Sequence, residues 1–93
     1  MGYELKYHPA VKKTDLPKIS RRYRETIKHA IEERLVTKPE IFGKPLQRTL
    51  KGYWKMRVGD YRIVYKVSKN SIRVFGIIHR KEVYKRINRR LQI

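Results

Sequence analysis

The stretch LKGYWKMRVGDYRIVYKV (residues 50–67) decides how this chain folds. Gly59-Asp60 separates two runs of alternating residues, the signal of a short β-hairpin. Trp54, Met56 and Val58, then Tyr61, Ile63, Tyr65 and Val67 beyond the turn, share one parity and are mostly apolar. Lys55, Arg57, Arg62 and Lys66 share the other, with Val64 as its one apolar member. Side chains alternate between faces along a strand, so the first set faces a core and the second an open, cationic surface. That many cations on one sheet face call for something negative to sit on them.

Working outward, Tyr3 to Tyr7 alternates as a short strand. His8-Pro9 ends it, and Pro9 suits the first turn of a short helix over Ala10 to Thr14. Ile19, Tyr23, Ile27, Ile31 and Leu35, with Ala30, recur at spacings of four. They predict an amphipathic helix that Ser20 caps and that ends before Pro39. Its outer face mixes Arg21, Arg22, Arg24, Lys28 and Arg34 with Glu25, Glu32 and Glu33, an ordinary solvated surface. Residues 39–49 show no periodicity and read as a loop. After a turn at Ser68-Lys69-Asn70-Ser71, Ile72 to His79 is a third strand of the meander. Alternation puts Ile72, Val74, Gly76 and Ile78 on one of its faces and Arg73, Phe75, Ile77 and His79 on the other. Glu82 to Leu91 closes the chain as a helix with Val83, Ile87 and Leu91 on one side. The order β–α–α–β–β–β–α predicts an α+β fold, a small antiparallel sheet with a helical hairpin on one face and the other face partly open.

Ninety-three residues suffice for one domain, residues 1–93, with one modest core. The 25 Lys and Arg against 8 Asp and Glu give a formal charge of +17, which favours anionic partners such as nucleic acid, an acidic protein or an anionic membrane surface. The charge is uneven: residues 1–40 carry a net +4 and residues 41–93 a net +13, so the sheet and the C-terminus hold the basic field. No cysteine is present, which excludes disulfides and thiolate metal sites. Neither a signal peptide nor a membrane span is legible, so a cytoplasmic protein is expected.

GxSxG, GxGxxG, Walker and HExxH patterns are missing, and His8, His29 and His79 lack ligand spacing, so neither a metal nor another cofactor is expected. What remains is a cationic sheet face, a histidine on the parity assigned to its cations and Tyr84 at the start of the last helix. That inventory suits RNA cleavage through the ribose 2′-OH. Arg and Lys neutralise the charge that develops on phosphorus, imidazole or phenol moves protons, and an aromatic ring stacks on a splayed base.

The pairing of GDYRIVY (59–65) with HRKEVY (79–84) resembles the RelE/ParE superfamily of type II toxins, over nearly the whole chain. The resemblance implies the RelE-like microbial RNase fold. RelE-like members are ribonucleases that cut mRNA in the ribosomal A site and are neutralised by a cognate antitoxin; ParE-like members share the fold, act on DNA gyrase and lack the RNase residues. Carried over by motif, the phosphate-stabilising arginine falls on Arg62, the basic pair of the preceding strand on Lys55 and Arg57, a second arginine on Arg80 and the base-orienting aromatic on Tyr84. His79 stands where some relatives place a histidine. A glutamate base used by one relative is absent, since Leu46 follows the GKP segment.

Each position also has a plainer reading. Lys55 and Arg57 fit either catalysis or general rRNA contact, His79 either proton transfer or a satisfied strand end, and Tyr84 either the site or packing on the sheet. Lys51, Lys66, Arg73, Lys85, Arg86, Arg89 and Arg90 read as electrostatic RNA attachment. Trp54 reads as core. The expectation is a metal-independent, ribosome-dependent mRNA endonuclease that acts as a toxin, partnered by an acidic RelB-like antitoxin, the ribosome and mRNA, in a toxin–antitoxin hetero-oligomer. The alternative is a gyrase-poisoning ParE-like toxin.

Overall fold

The computed structural model of the protein describes residues 3–46 and 52–91. Five strands form one sheet in the order β1-β5-β4-β3-β2: β1 Glu4–Tyr7, β2 Lys44–Pro45, β3 Trp54–Val58, β4 Tyr61–Val67 and β5 Ser71–His79. The expected hairpin is there, with Val58 opposite Tyr61 across Gly59-Asp60 and Trp54 opposite Tyr65. Gly59 adopts φ +59°. A Cβ there would fall on the Tyr23 hydroxyl, which accepts a hydrogen bond from the Asp60 N–H at 2.9 Å. The turn therefore needs glycine both for its backbone and for the close approach of Tyr23.

The sheet is mixed rather than wholly antiparallel, because β1 pairs parallel with β5. The connection from β1 carries the helical layer, and a crossover of that kind returns the chain parallel to its starting strand. A wide turn at Val11–Asp15 tightens into a 3₁₀ turn at Leu16–Lys18, and α1 (Arg21–Ala30) continues in a wider π-type segment, Ile31–Leu35. The Ser20 side chain caps α1 by accepting from the Tyr23 N–H. A stripe spaced strictly by four drifts off one face of a 3.6-residue helix. The π segment, where Val36 N–H bonds Ile31 C=O, unwinds the helix enough to keep Ile31 and Leu35 buried.

Residues expected as loop hold two further elements: a helical turn α2, Pro39–Phe42, with Pro39 at its first position, and β2. Both are too short to leave a periodic signal. The principal core packs Val11, Ile19, Ile27, Ala30, Ile31 and Leu35 against Met56, Val58, Ile63, Tyr65, Ile72, Val74 and Ile77.

The opposite face is less open than the sequence implies. The last helix, α3 (Val83–Leu91), lies across it and buries Val64 and Ile78 beneath Val83 and Ile87, with Leu46. Val64, the apolar exception on the cationic parity, is thus a core residue of this second cluster. Strict alternation along β5 also fails. Val64 pairs with Gly76 but Tyr65 pairs with Val74, so Phe75 is an extra residue in a bulge. Beyond it the faces exchange: Ile77 joins the principal core with Ile72 and Val74, whereas Ile78 joins the α3 side. Among the described residues, no helix is long and apolar enough to cross a membrane.

Candidate active site

Five of the expected site residues come together where the β3–β4 hairpin meets the start of α3. Arg57 and Arg62 stand opposite each other in register. Arg62 donates to the carbonyls of Gly59 (3.1 Å) and Tyr61 (3.0 Å), which holds its guanidinium at the turn. Arg80 reaches the same turn, its Nε 3.5 Å from Asp60 Oδ1 and its backbone N–H on the Asp60 carbonyl. Partial burial and the fields of Arg57 and Arg80 lower the Arg62 pKa from its ordinary value. Three guanidinium groups therefore share one field, and the charge of an arriving anion would relieve it.

Lys55, two residue pairs along, donates to the Tyr84 hydroxyl at 3.3 Å and holds its ammonium 5.3 Å above the centre of that ring. β3 positions Lys55 and the first turn of α3 positions Tyr84. Docking of α3 through Val83 and Ile87 thus sets this contact. Lys44, which sequence reading placed in a loop, pairs with Lys55 across β2–β3. Like charges directly opposite on a sheet are destabilising, so the Lys44–Lys55 and Arg57–Arg62 pairs cost stability unless an anion lies over them.

His79 is not among them. The bulge turns it to the helical side, where it pairs with Tyr61 and its ring meets Tyr61 edge-on at 5.7 Å. Its Nδ1 accepts from the Lys81 N–H at 3.3 Å. The expectation that His79 shares the face of the cations is corrected: it ends β5 on the helical side, paired with Tyr61.

The tail cations divide. Arg86 and Arg90, expected as RNA contacts, bind Asp15, whose side chain is fully buried. Arg90 donates to both Asp15 oxygens at 2.8 Å and to the Phe75 carbonyl at 2.8 Å; Arg86 donates to Asp15 at 3.3 Å. Asp15 also accepts from the Ile77 N–H at 3.0 Å, beyond the point where β1 ceases to pair with β5. This cluster clamps α3 and the wide turn onto one edge of β5, so both arginines already have a carboxylate partner there. Lys85 and Arg89 remain solvent-facing. Lys66 and Arg73 are exposed and pair with each other toward the far end of the sheet, while Lys51 lies outside the described residues. Asp15 was invisible as an anchor because its arginine partners lie more than seventy positions away. Among the described residues no group of three His, Asp or Glu could hold a metal ion.

A basic cluster with a lysine–tyrosine pair, carried on a five-stranded sheet between unequal helical layers, defines a small anion-binding α+β domain. Comparison with known proteins narrows this. Residues 5–84 match the family model described as the ParE toxin of type II toxin–antitoxin system, parDE. Toxin RelE of Mycobacterium tuberculosis is 34% identical over 76 residues, which is 78% of this chain and 77% of that protein. Among solved structures, the toxin–antitoxin complex RelBE2 of Mycobacterium tuberculosis contains a chain that matches with TM-score 0.78 at 25% identity, covering 85% of this chain and 99% of that one. An E. coli RelE mutant in complex with a peptide of the antitoxin RelB gives 0.68 at 26%, over 92% and 94%. The chain belongs to the RelE/ParE superfamily and is a type II toxin of the RelE family.

Proposed function

We propose that this toxin is an endoribonuclease that cuts mRNA on the ribosome. The observation that carries the reading is the convergence of Lys55, Arg57, Arg62, Arg80 and Tyr84 on one accessible patch, the set that the RNase branch requires. The 2′-oxygen attacks the adjacent phosphorus, an O2′–P bond forms and the P–O5′ bond breaks. The products are a 2′,3′-cyclic phosphate, or a 3′-phosphate after hydrolysis, and a 5′-hydroxyl. Arg62, with Arg57 and Arg80, neutralises the extra charge of the pentacovalent phosphate. The hydrogen-bonded Lys55–Tyr84 pair, rather than His79, handles the 2′-OH and leaving-group protons, and the Tyr84 ring holds the base. The charge of +17 draws the toxin to the ribosome's phosphates with strong salt dependence.

The partner is a RelB-like antitoxin whose acidic segment complements the basic surface, as an added strand or a helix. RelB-type antitoxins accompany the solved RelE relatives. A gyrase-poisoning reading is not favoured, because the residues it would dispense with are present and grouped.

Primer extension on an mRNA in a translating extract tests the proposal. Wild type should produce cuts at codon positions on ribosome-bound message, and Arg62→Ala should lower the rate by about 10²–10³-fold, the range for one lost transition-state donor. Full cleavage by Arg62→Ala would misplace the site. Intact message with wild type would direct attention to gyrase, and cuts on free RNA alone would remove the ribosome from the reading.

A further inference from the structure

The sheet carries a second concentration of cations that the reaction does not use. Lys6, Arg73 and Lys66 occupy one row across three neighbouring strands: Lys6 is in register with Arg73, and Arg73 with Lys66. Adjacent strands are about 4.8 Å apart, so the row holds three like charges at close spacing. Among the described residues, the carboxylate that meets the row is the exposed Glu4, 3.8 Å from Lys6, a contact that contributes little.

Aromatic rings border the row. The Lys66 ammonium lies 5.2 Å above the centre of the Tyr53 ring, and Tyr53 meets Phe75 edge-on at 5.2 Å. Phe75 keeps the face of Arg73 that plain alternation gives it, and the bulge exchanges faces only beyond it. These residues line a pocket of about 320 Å³ together with Ser68 and Ser71. Tyr53 has the parity of Lys55 and lies two residues before it, which places the pocket about 7 Å along β3 from the Lys55–Tyr84 pair.

We propose that this pocket is a second RNA subsite, which takes one unpaired nucleotide of the strand whose scissile phosphate lies at Arg62. This rests on the RNA reading of the first site. The base stacks on Tyr53, displacing the Lys66 ammonium from the ring, and the neighbouring phosphates are held by Lys66, Arg73 and Lys6. Cations interleaved with half-buried rings are how proteins hold single strands without reading sequence, whereas an acidic peptide would need the cations and not the ring faces.

The test is binding of a fluorescent 2′-O-methyl RNA oligonucleotide, which lacks the attacking hydroxyl and so reports binding without cleavage. Tyr53→Leu should weaken binding at least about fivefold, the low end of one lost base stack. Lys66→Gln/Arg73→Gln, at exposed positions, should reduce the slope of log affinity against log salt by about 1.4, two phosphate contacts on a single strand. Wild-type affinity in Tyr53→Leu together with an unchanged slope in the double variant would overturn the subsite. So would a peptide of alternating Glu and Ala whose binding is lost in the double variant while RNA binding is unmoved. If wild type binds through these residues but cuts no message, the cleavage reading fails and the subsite stands. If it cuts message and the variants bind RNA as wild type does, the subsite fails alone.

Discussion

Asp15 offers the most direct test of how the fold presents its site. Its side chain is fully buried, and it accepts three hydrogen bonds from two guanidinium groups and one from the Ile77 N–H. Arg90, 9% exposed, stays charged when the carboxylate is removed. Breaking one partner out of a buried ion pair costs about 3–5 kcal/mol, because the remaining charge is left unpaired. A 93-residue domain has a total stability of roughly 5–14 kcal/mol, so Asp15→Ala should forfeit a large part of it. Urea unfolding at pH 7 should show this loss, with a melting temperature lower by about 12 °C or more. The damage should centre on α3, and α3 carries Tyr84, so Lys55 and Tyr84 should separate and mRNA cleavage should fall with stability. A compensating Asp15→Leu/Arg90→Leu pair, which removes both charges, should recover much of the stability, since apolar replacement of a buried pair is often neutral. A loss under about 1 kcal/mol in Asp15→Ala would refute the reasoning and return Arg86 and Arg90 to the pool of RNA contacts.

Four further outcomes follow from the same geometry. His79→Gln should lower cleavage by less than about tenfold, against about 10²–10⁴ for a lost proton carrier, and leave the pH–rate profile between pH 5 and 8 unchanged. Lys55→Met and Tyr84→Phe should be non-additive in cleavage rate by about 1 kcal/mol, read from single-turnover kinetics of both variants and the double mutant. Gly59→Ala should cost about 1–2 kcal/mol in urea unfolding, because φ +59° is strained for alanine and the new Cβ displaces the Tyr23 hydroxyl. Burial, then the charge of Glu40, raise the pKa of Tyr65, whose hydroxyl donates to the Pro39 carbonyl at 2.6 Å. A phenol with a raised folded pKa contributes stability that is present below its unfolded value near 10 and lost as pH rises beyond it. Base denaturation monitored above pH 10 should therefore be less steep in Tyr65→Phe.

What could be read from the chain and what could not divide along one physical line. The hairpin was legible because period-two alternation and a two-residue turn are local, and α1 because Ser20 and the apolar stripe are local. The group Lys55, Arg57 and Arg62 followed from parity alone. Two events broke the reading, one of strand parity and one of tail charge, and both are cooperative. The bulge at Phe75 adds one residue to β5, where sequence shows only Gly76 as a hint, and a one-residue offset exchanges every face after it. That error put His79 on the wrong side while leaving Arg62 correct, since β4 itself is regular. Burial of Asp15 then changed what Arg86 and Arg90 mean. A cation is counted as surface charge until a carboxylate some seventy residues away is known to lie beneath it. The basic field is real, but its useful part is narrower than the tally of lysines and arginines: some of these charges hold the scaffold so that others can face an anion. How far Arg86 and Arg90 are committed to the scaffold is thus a question about Asp15, and the unfolding of Asp15→Ala measures that commitment without any RNA in the tube.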